Sequence, residues 1–149
     1  MGLVEMSERI KVVHPDSVIM YKSGNFYKCF GKDVYILEAI FGWNLQTVNQ
    51  NVLTCGFPLN TEKKVRTKLE ERKMNYMLLD PRNEYHIDAQ EDFRKLNNYE
   101  IELNKAYSFV KNKKKIKRIS EELELFIDKP NFKEVIRKIE DLLDESREV

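Results

Sequence analysis

The feature that most restricts this chain is a change of apolar period between residues 17 and 41. Ser17-Val18-Ile19-Met20-Tyr21-Lys22 and the alternating Phe26-Tyr27-Lys28-Cys29-Phe30 are β-type runs, separated by Ser23-Gly24-Asn25. That triplet supplies turn chemistry, so the two runs read as a hairpin. From Lys32 the apolar spacing lengthens to three and four, through Val34, Ile36, Leu37, Ala39, Ile40 and Phe41, and Gly42 offers a helix stop. A hairpin followed at once by an apolar-faced helix predicts a helix packed on a sheet.

The flanking segments extend the same alternation. Residues 1–13 read as a helix ending at His14-Pro15, because the residue before a proline is pushed out of the α region. Residues 45–48 and 51–55 read as strands joined by Asn49-Gln50, with Gly56-Phe57-Pro58 ending the second. Thr61 is placed to cap a helix that reaches Lys73. Tyr76-Met77-Leu78-Leu79 is a buried strand closed by Asp80-Pro81, and Tyr85-His86-Ile87-Asp88 adds an edge strand. This order predicts an α/β fold, a mixed β-sheet flanked by helices.

Beyond Glu91 the chain has no glycine and a single proline, Pro130. Leu103, Ala106, Tyr107 and Val110, then Ile116, Ile119, Leu123 and Phe126, keep helical spacing, predicting one long helix with Asn112 as its one weak point. After Pro130 an amphipathic stripe, Phe132, Val135, Ile136, Ile139, Leu142 and Leu143, follows Asn131 and Glu134 in capping-box positions. The expected organisation is an α/β domain over residues 1–90 and a C-terminal helical hairpin over 91–149.

Composition excludes several classes. Hydrophobic residues at 42% supply the apolar area that a disordered chain lacks. No apolar run approaches the roughly 20 residues that span a bilayer. The opening Met1-Gly2-Leu3-Val4-Glu5-Met6 lacks a basic segment followed by an apolar one, so a cytoplasmic protein is expected. Only Cys29 and Cys55 are present, which rules out a disulfide framework, leaves room for at most one Cys29–Cys55 bond and suits a reducing compartment.

The net charge of +1 hides an asymmetry: residues 119–149 hold ten acids against five bases, so the first 118 residues carry +6. A basic body can meet a polyanion while an acidic tail meets something else.

His14-Pro15-Asp16, then Tyr21-Lys22-Ser23-Gly24-Asn25-Phe26-Tyr27-Lys28-Cys29-Phe30, then Gly31-Lys32-Asp33, resembles the opening of MutS domain I. That family reads H-P-D, a strand, G-D-F-Y-E-x-F and a helix. Cys55-Gly56-Phe57-Pro58 is similar to its C-G-[VI]-P. The resemblance covers about residues 5–80 and implies a noncatalytic, mismatch-reading DNA-binding domain. No P-loop or other MutS domain follows, so an ATP-independent role is expected.

The resemblance places the family's wedging phenylalanine at Phe26. Inserting an apolar side chain between base steps costs a few kcal/mol of unstacking, least where pairing is already poor. The family's glutamate falls at Lys28 and its aspartate at Asn25. Both changes remove negative charge, which should raise general duplex affinity and weaken mismatch discrimination. A bent duplex or an RNA–DNA hybrid is then as good a target as a mismatch.

The expected contact set is Phe26, Lys28, Lys22, Asn25 and Tyr27 on the hairpin, with Lys113, Lys114, Lys115 and Lys117 from a run holding six bases in eight residues. Small proteins of this resemblance accompany reverse transcriptases in diversity-generating retroelements, so a reverse transcriptase or repair enzyme is the expected protein partner. The competing reading is a protein-interaction adaptor that kept the fold and lost nucleic-acid binding.

Catalytic and cofactor sites find no support in the spacing. Gly24 and Gly31 are too far apart for a phosphate loop, and Asp33 stands where Ser or Thr must hold a metal. His14, His86, Cys29 and Cys55 include no pair at zinc-ligand spacing, so no metal is expected. Glu71 and Lys73, with Asp16 upstream, imitate half of a metal-nuclease signature, but they fall at a helix end.

Overall fold

The computed structural model describes residues 2–42, the backbone of 46–48, and residues 51–147. In chain order the elements are α1 (Leu3–Val13), β1 (Val18–Ser23), β2 (Phe26–Phe30), α2 (Asp33–Phe41), β3 (Gln46–Val48), β4 (Val52–Pro58), α3 (Glu62–Glu71), β5 (Tyr76–Asp80), β6 (His86–Glu91), α4 (Tyr99–Glu124) and α5 (Phe132–Arg147). The strands form one sheet in the order β3-β4-β2-β1-β5-β6. Among the described residues only β1 and β5 pair in parallel; the other neighbours are antiparallel, so the sheet is mixed as expected.

The period of two along each strand separates two faces. Val18 and Met20, Tyr27 and Cys29, Cys55 and Phe57, and Tyr76 and Leu78 are buried together under Val34 and Leu37 of α2, Val65 and Leu69 of α3, and Tyr99, Leu103 and Ala106 of α4. Ile19, Tyr21, Met77 and Leu79, one residue out of phase, pack instead with Leu3 and Ile10 of α1 and with Phe30 and Tyr85. The hairpin thus gives core side chains to both faces.

A buried carboxylate fastens the helices to the sheet. Asp33, 1% exposed, accepts hydrogen bonds from Lys11 Nζ at 2.6 Å, the Tyr99 hydroxyl at 2.5 Å and the Ile19 backbone N–H at 3.1 Å. Four elements, α1, β1, α2 and α4, meet at this group. Burial pushes its carboxyl upward, with the Lys11 ammonium and the three hydrogen bonds opposing.

Several boundaries differ from the sequence expectation. β4 does not stop at Cys55: Gly56, Phe57 and Pro58 continue it, paired with Lys28, Tyr27 and Phe26 of β2. The edge strand begins at His86, because Tyr85 has a left-handed φ of 57°, and it runs on to Glu91. Thr61 does not cap α3 through its side chain, since its hydroxyl donates to the Pro58 carbonyl at 2.8 Å. α4 passes through Asn112 unbroken over 26 residues. Leu45 and the Asn49-Gln50 connection lie outside the described residues.

By contacts the chain divides into two units, Met1–Val110 and Lys111–Val149. The apolar side chains Leu103, Ala106 and Val110 of α4 are buried within the first. In the second, turns over residues 125–131 connect the end of α4 to α5. No residue of α5 is fully buried: Val135, Ile136 and Ile139 are half-covered, while Leu142 and Leu143 are exposed. Among the described residues no helix is long and apolar enough to cross a membrane.

Candidate nucleic-acid interface

The β1–β2 hairpin turns through Gly24 and Asn25, with Ser23 paired to Phe26. Gly24 carries a φ of +61°, a left-handed conformation that glycine adopts without steric cost. The Asn25 carbonyl accepts the Leu59 N–H at 3.0 Å, tying the hairpin tip to the chain leaving β4.

Alternation along β2 then sorts the contact residues. Phe26, 50% exposed, and Lys28, also exposed, project from one face. Tyr27 projects from the other and is 5% exposed, stacked on Phe57 with ring centroids 5.5 Å apart. Burial pushes its hydroxyl up to about 12. Tyr27, grouped above with the contact residues, is therefore a core residue. Lys22, partly buried, pairs across the ladder with Tyr27 and shares its face, so the hairpin does not bring Lys22 together with Lys28.

Asn25 is exposed in the turn beside Phe26. Lys113, Lys114, Lys115 and Lys117 are exposed on the part of α4 that belongs to the second unit. Glu71 is the last residue of α3, and Lys73 follows it in a left-handed turn, φ 54°, away from any strand.

One contributor carried no role in the sequence reading. Gly56 stands opposite Lys28 in the β2–β4 ladder, and a Cβ there would lie 3.0 Å from the Tyr27 carbonyl oxygen and 3.9 Å from Lys28 Cγ. The glycine leaves the position beside Lys28 free of side chain, while Pro58 stands beside Phe26. Its signal was present in Cys55-Gly56-Phe57-Pro58, but only pairing with β2 gives the glycine a purpose.

An exposed aromatic at a strand end and a lysine two residues on, with a glycine beside the lysine on the neighbouring strand, together offer an apolar wedge and a phosphate partner on one surface. The mixed sheet, its helical cover and this hairpin define an α/β domain that presents an aromatic-tipped hairpin to solvent. The family model described as MutS domain I matches residues 2–79, just over half of the chain and up to the penultimate residue of β5. The chain belongs to that family. MutS domain I is a noncatalytic, DNA-binding domain that recognises mismatches. A comparison with curated proteins found no match to the chain.

Proposed function

We propose that this chain is a noncatalytic module that reads mispaired, bent or hybrid duplex with Phe26 as an aromatic wedge. The observation that carries this reading is the contrast within β2: Phe26 is half-exposed at the hairpin tip, whereas Tyr27 and Cys29 are buried. Lys28 meets a phosphate beside the wedge, and the exposed Lys113, Lys114, Lys115 and Lys117 add sequence-independent attraction. The module works without ATP, in the cytoplasm, as accessory to an enzyme such as a reverse transcriptase or a repair enzyme. The helices beyond residue 91 dock that partner.

Fluorescence anisotropy across a salt series tests the reading, with matched duplex, mismatched duplex, RNA–DNA hybrid and single strands. Salt-dependent binding with a preference among duplexes that Phe26→Ala abolishes is the expected result. Absence of binding near physiological salt overturns it.

One observation favours the second reading, a protein-interaction adaptor. The second unit leaves Ile116, Ile119, Leu142 and Leu143 about half or more exposed, a large apolar surface for so small a body. An adaptor would retain its partner protein when Phe26 is replaced.

A further inference from the structure

The unit Lys111–Val149 has no core of its own: none of its described residues, 111–147, is buried. A body of fewer than about 40 residues usually needs a disulfide, a metal or a second chain to hold it together. Both cysteines lie outside the unit, and among the described residues no cluster of side chains could hold a metal ion. A second chain is the remaining device.

The apolar pattern shows what that chain has to cover. Ile116, Ile119, Leu123 and Phe126 recur at spacings of three, four and three, the a and d positions of a heptad. Leu123, near the turn into α5, is half-covered, whereas Ile116 is 66% and Ile119 49% exposed. On α5 the gradient is the same, from the half-covered Val135, Ile136 and Ile139 to the exposed Leu142 and Leu143. The uncovered apolar positions of both helices are thus those further along each from the turn.

The charges show which chain it is. Residues 111–118 hold six bases and no acid, while residues 119–124 hold Glu121, Glu122 and Glu124 and no base. A helix divided in this way complements a copy of itself run in the opposite direction and repels one run in the same direction. With a two-fold axis between residues 116 and 119, Ile116 of each copy meets Ile119 of the other. The same register brings Lys115 opposite Glu122 of the other copy, since both occupy g positions flanking the apolar seam. Lys115 and Glu122 are exposed and form no ion pair among the described residues.

We propose that this face binds a second copy of the chain, with α4 antiparallel to its counterpart and Ile116, Ile119, Leu142 and Leu143 of both copies sharing one core. A four-helix arrangement of this kind turns the apolar stripe of every member inward. The inference does not rest on duplex binding. It gives to a second copy the surface that the adaptor reading gives to an unlike protein, and an accessory enzyme then meets the paired helices. On the duplex-binding reading, a dimer also carries two Phe26 hairpins, so once one is bound the other is present at a raised effective concentration.

Sedimentation equilibrium of the full chain without nucleic acid, up to about 100 µM, tests this. The expected mass at the upper concentrations is twice the 17.8 kDa of the chain. Lys115→Glu and Glu122→Lys should each raise the dimer dissociation constant about tenfold or more, because each contact occurs twice. The two substitutions together should return it to within about threefold of wild type. Rescue by the double reversal cannot come from misfolding, and the two positions lie seven residues apart on one helix, so it reports a contact between copies. A monomer at about 100 µM, a mass above two copies, or a double reversal no better than the single ones overturns the proposal. Failure of the wedge reading shows separately, as duplex binding unaffected by Phe26→Ala with the mass unchanged.

Discussion

Lys28 and Gly56 face each other across the β2–β4 ladder, and the room beside the lysine exists because position 56 has no Cβ. An added methyl would meet the Tyr27 carbonyl oxygen at 3.0 Å, a backbone atom held in the middle of the sheet. Gly56→Ala should therefore cost about 1 to 3 kcal/mol in urea unfolding, the range for overpacking a well-fitted site. Unchanged stability would mean that the two strands can part by a few tenths of an ångström.

Phe26 and Tyr27 are neighbours with opposite fates. Phe26→Ala removes a half-exposed ring and should leave the unfolding free energy within about 0.5 kcal/mol of wild type. Tyr27→Ala removes a ring stacked on Phe57 and should cost about 3 to 5 kcal/mol. Thermal or urea unfolding of the pair checks the assignment of faces, and equal losses would contradict it.

The lysine at position 28 should govern general attraction to the duplex. Lys28→Glu removes one phosphate partner, so the slope of log affinity against log salt should fall by about 0.9, with weaker binding to matched duplex and a larger relative preference for a mispaired one. Salt titrations of both proteins measure this. An identical slope would place Lys28 away from phosphate.

Asp33 links stability to pH. Burial raises its carboxyl above the ordinary value of 3.8 in the folded protein, against the opposing pull of Lys11. A raised folded value means that the group's contribution is complete below the unfolded value and is lost as pH climbs through the folded one. The stability of wild type minus that of Asp33→Asn should therefore decline as pH rises out of the acid range. Urea unfolding at a series of pH values follows the difference, and a flat profile would show that Lys11 cancels the effect of burial.

Cys29 and Cys55 are direct partners in the β2–β4 ladder, both buried and both free. Burial pushes the Cys29 thiol well up and the Cys55 thiol up to about 12, so neither is a useful nucleophile at neutral pH. Aromatic-disulfide reagents should label both only in denaturant. Rapid labelling of the native protein would show that β2 and β4 open locally.

Elements whose cause is local can be read from the residue order alone. Gly24 permits the hairpin turn, His14-Pro15 ends α1, Gly42 ends α2 with a left-handed φ of 73°, and the alternation of β2 puts Phe26 and Lys28 in one phase and Tyr27 in the other. The ordered motifs likewise made the family resemblance legible. Alternation says that two faces exist, but not which one will be covered, so Tyr27 and Phe26 looked equivalent as contacts. Tertiary structure decided between them by packing α2, α3 and α4 on the Tyr27 face. It also set β1 beside β5 across more than fifty residues, extended β4 through Gly56-Phe57-Pro58 because β2 pairs along its whole length, and buried Asp33 among four elements. Each of these depends on segments distant in the chain meeting in space, whereas a local periodicity records only how a segment prefers to present its own side chains.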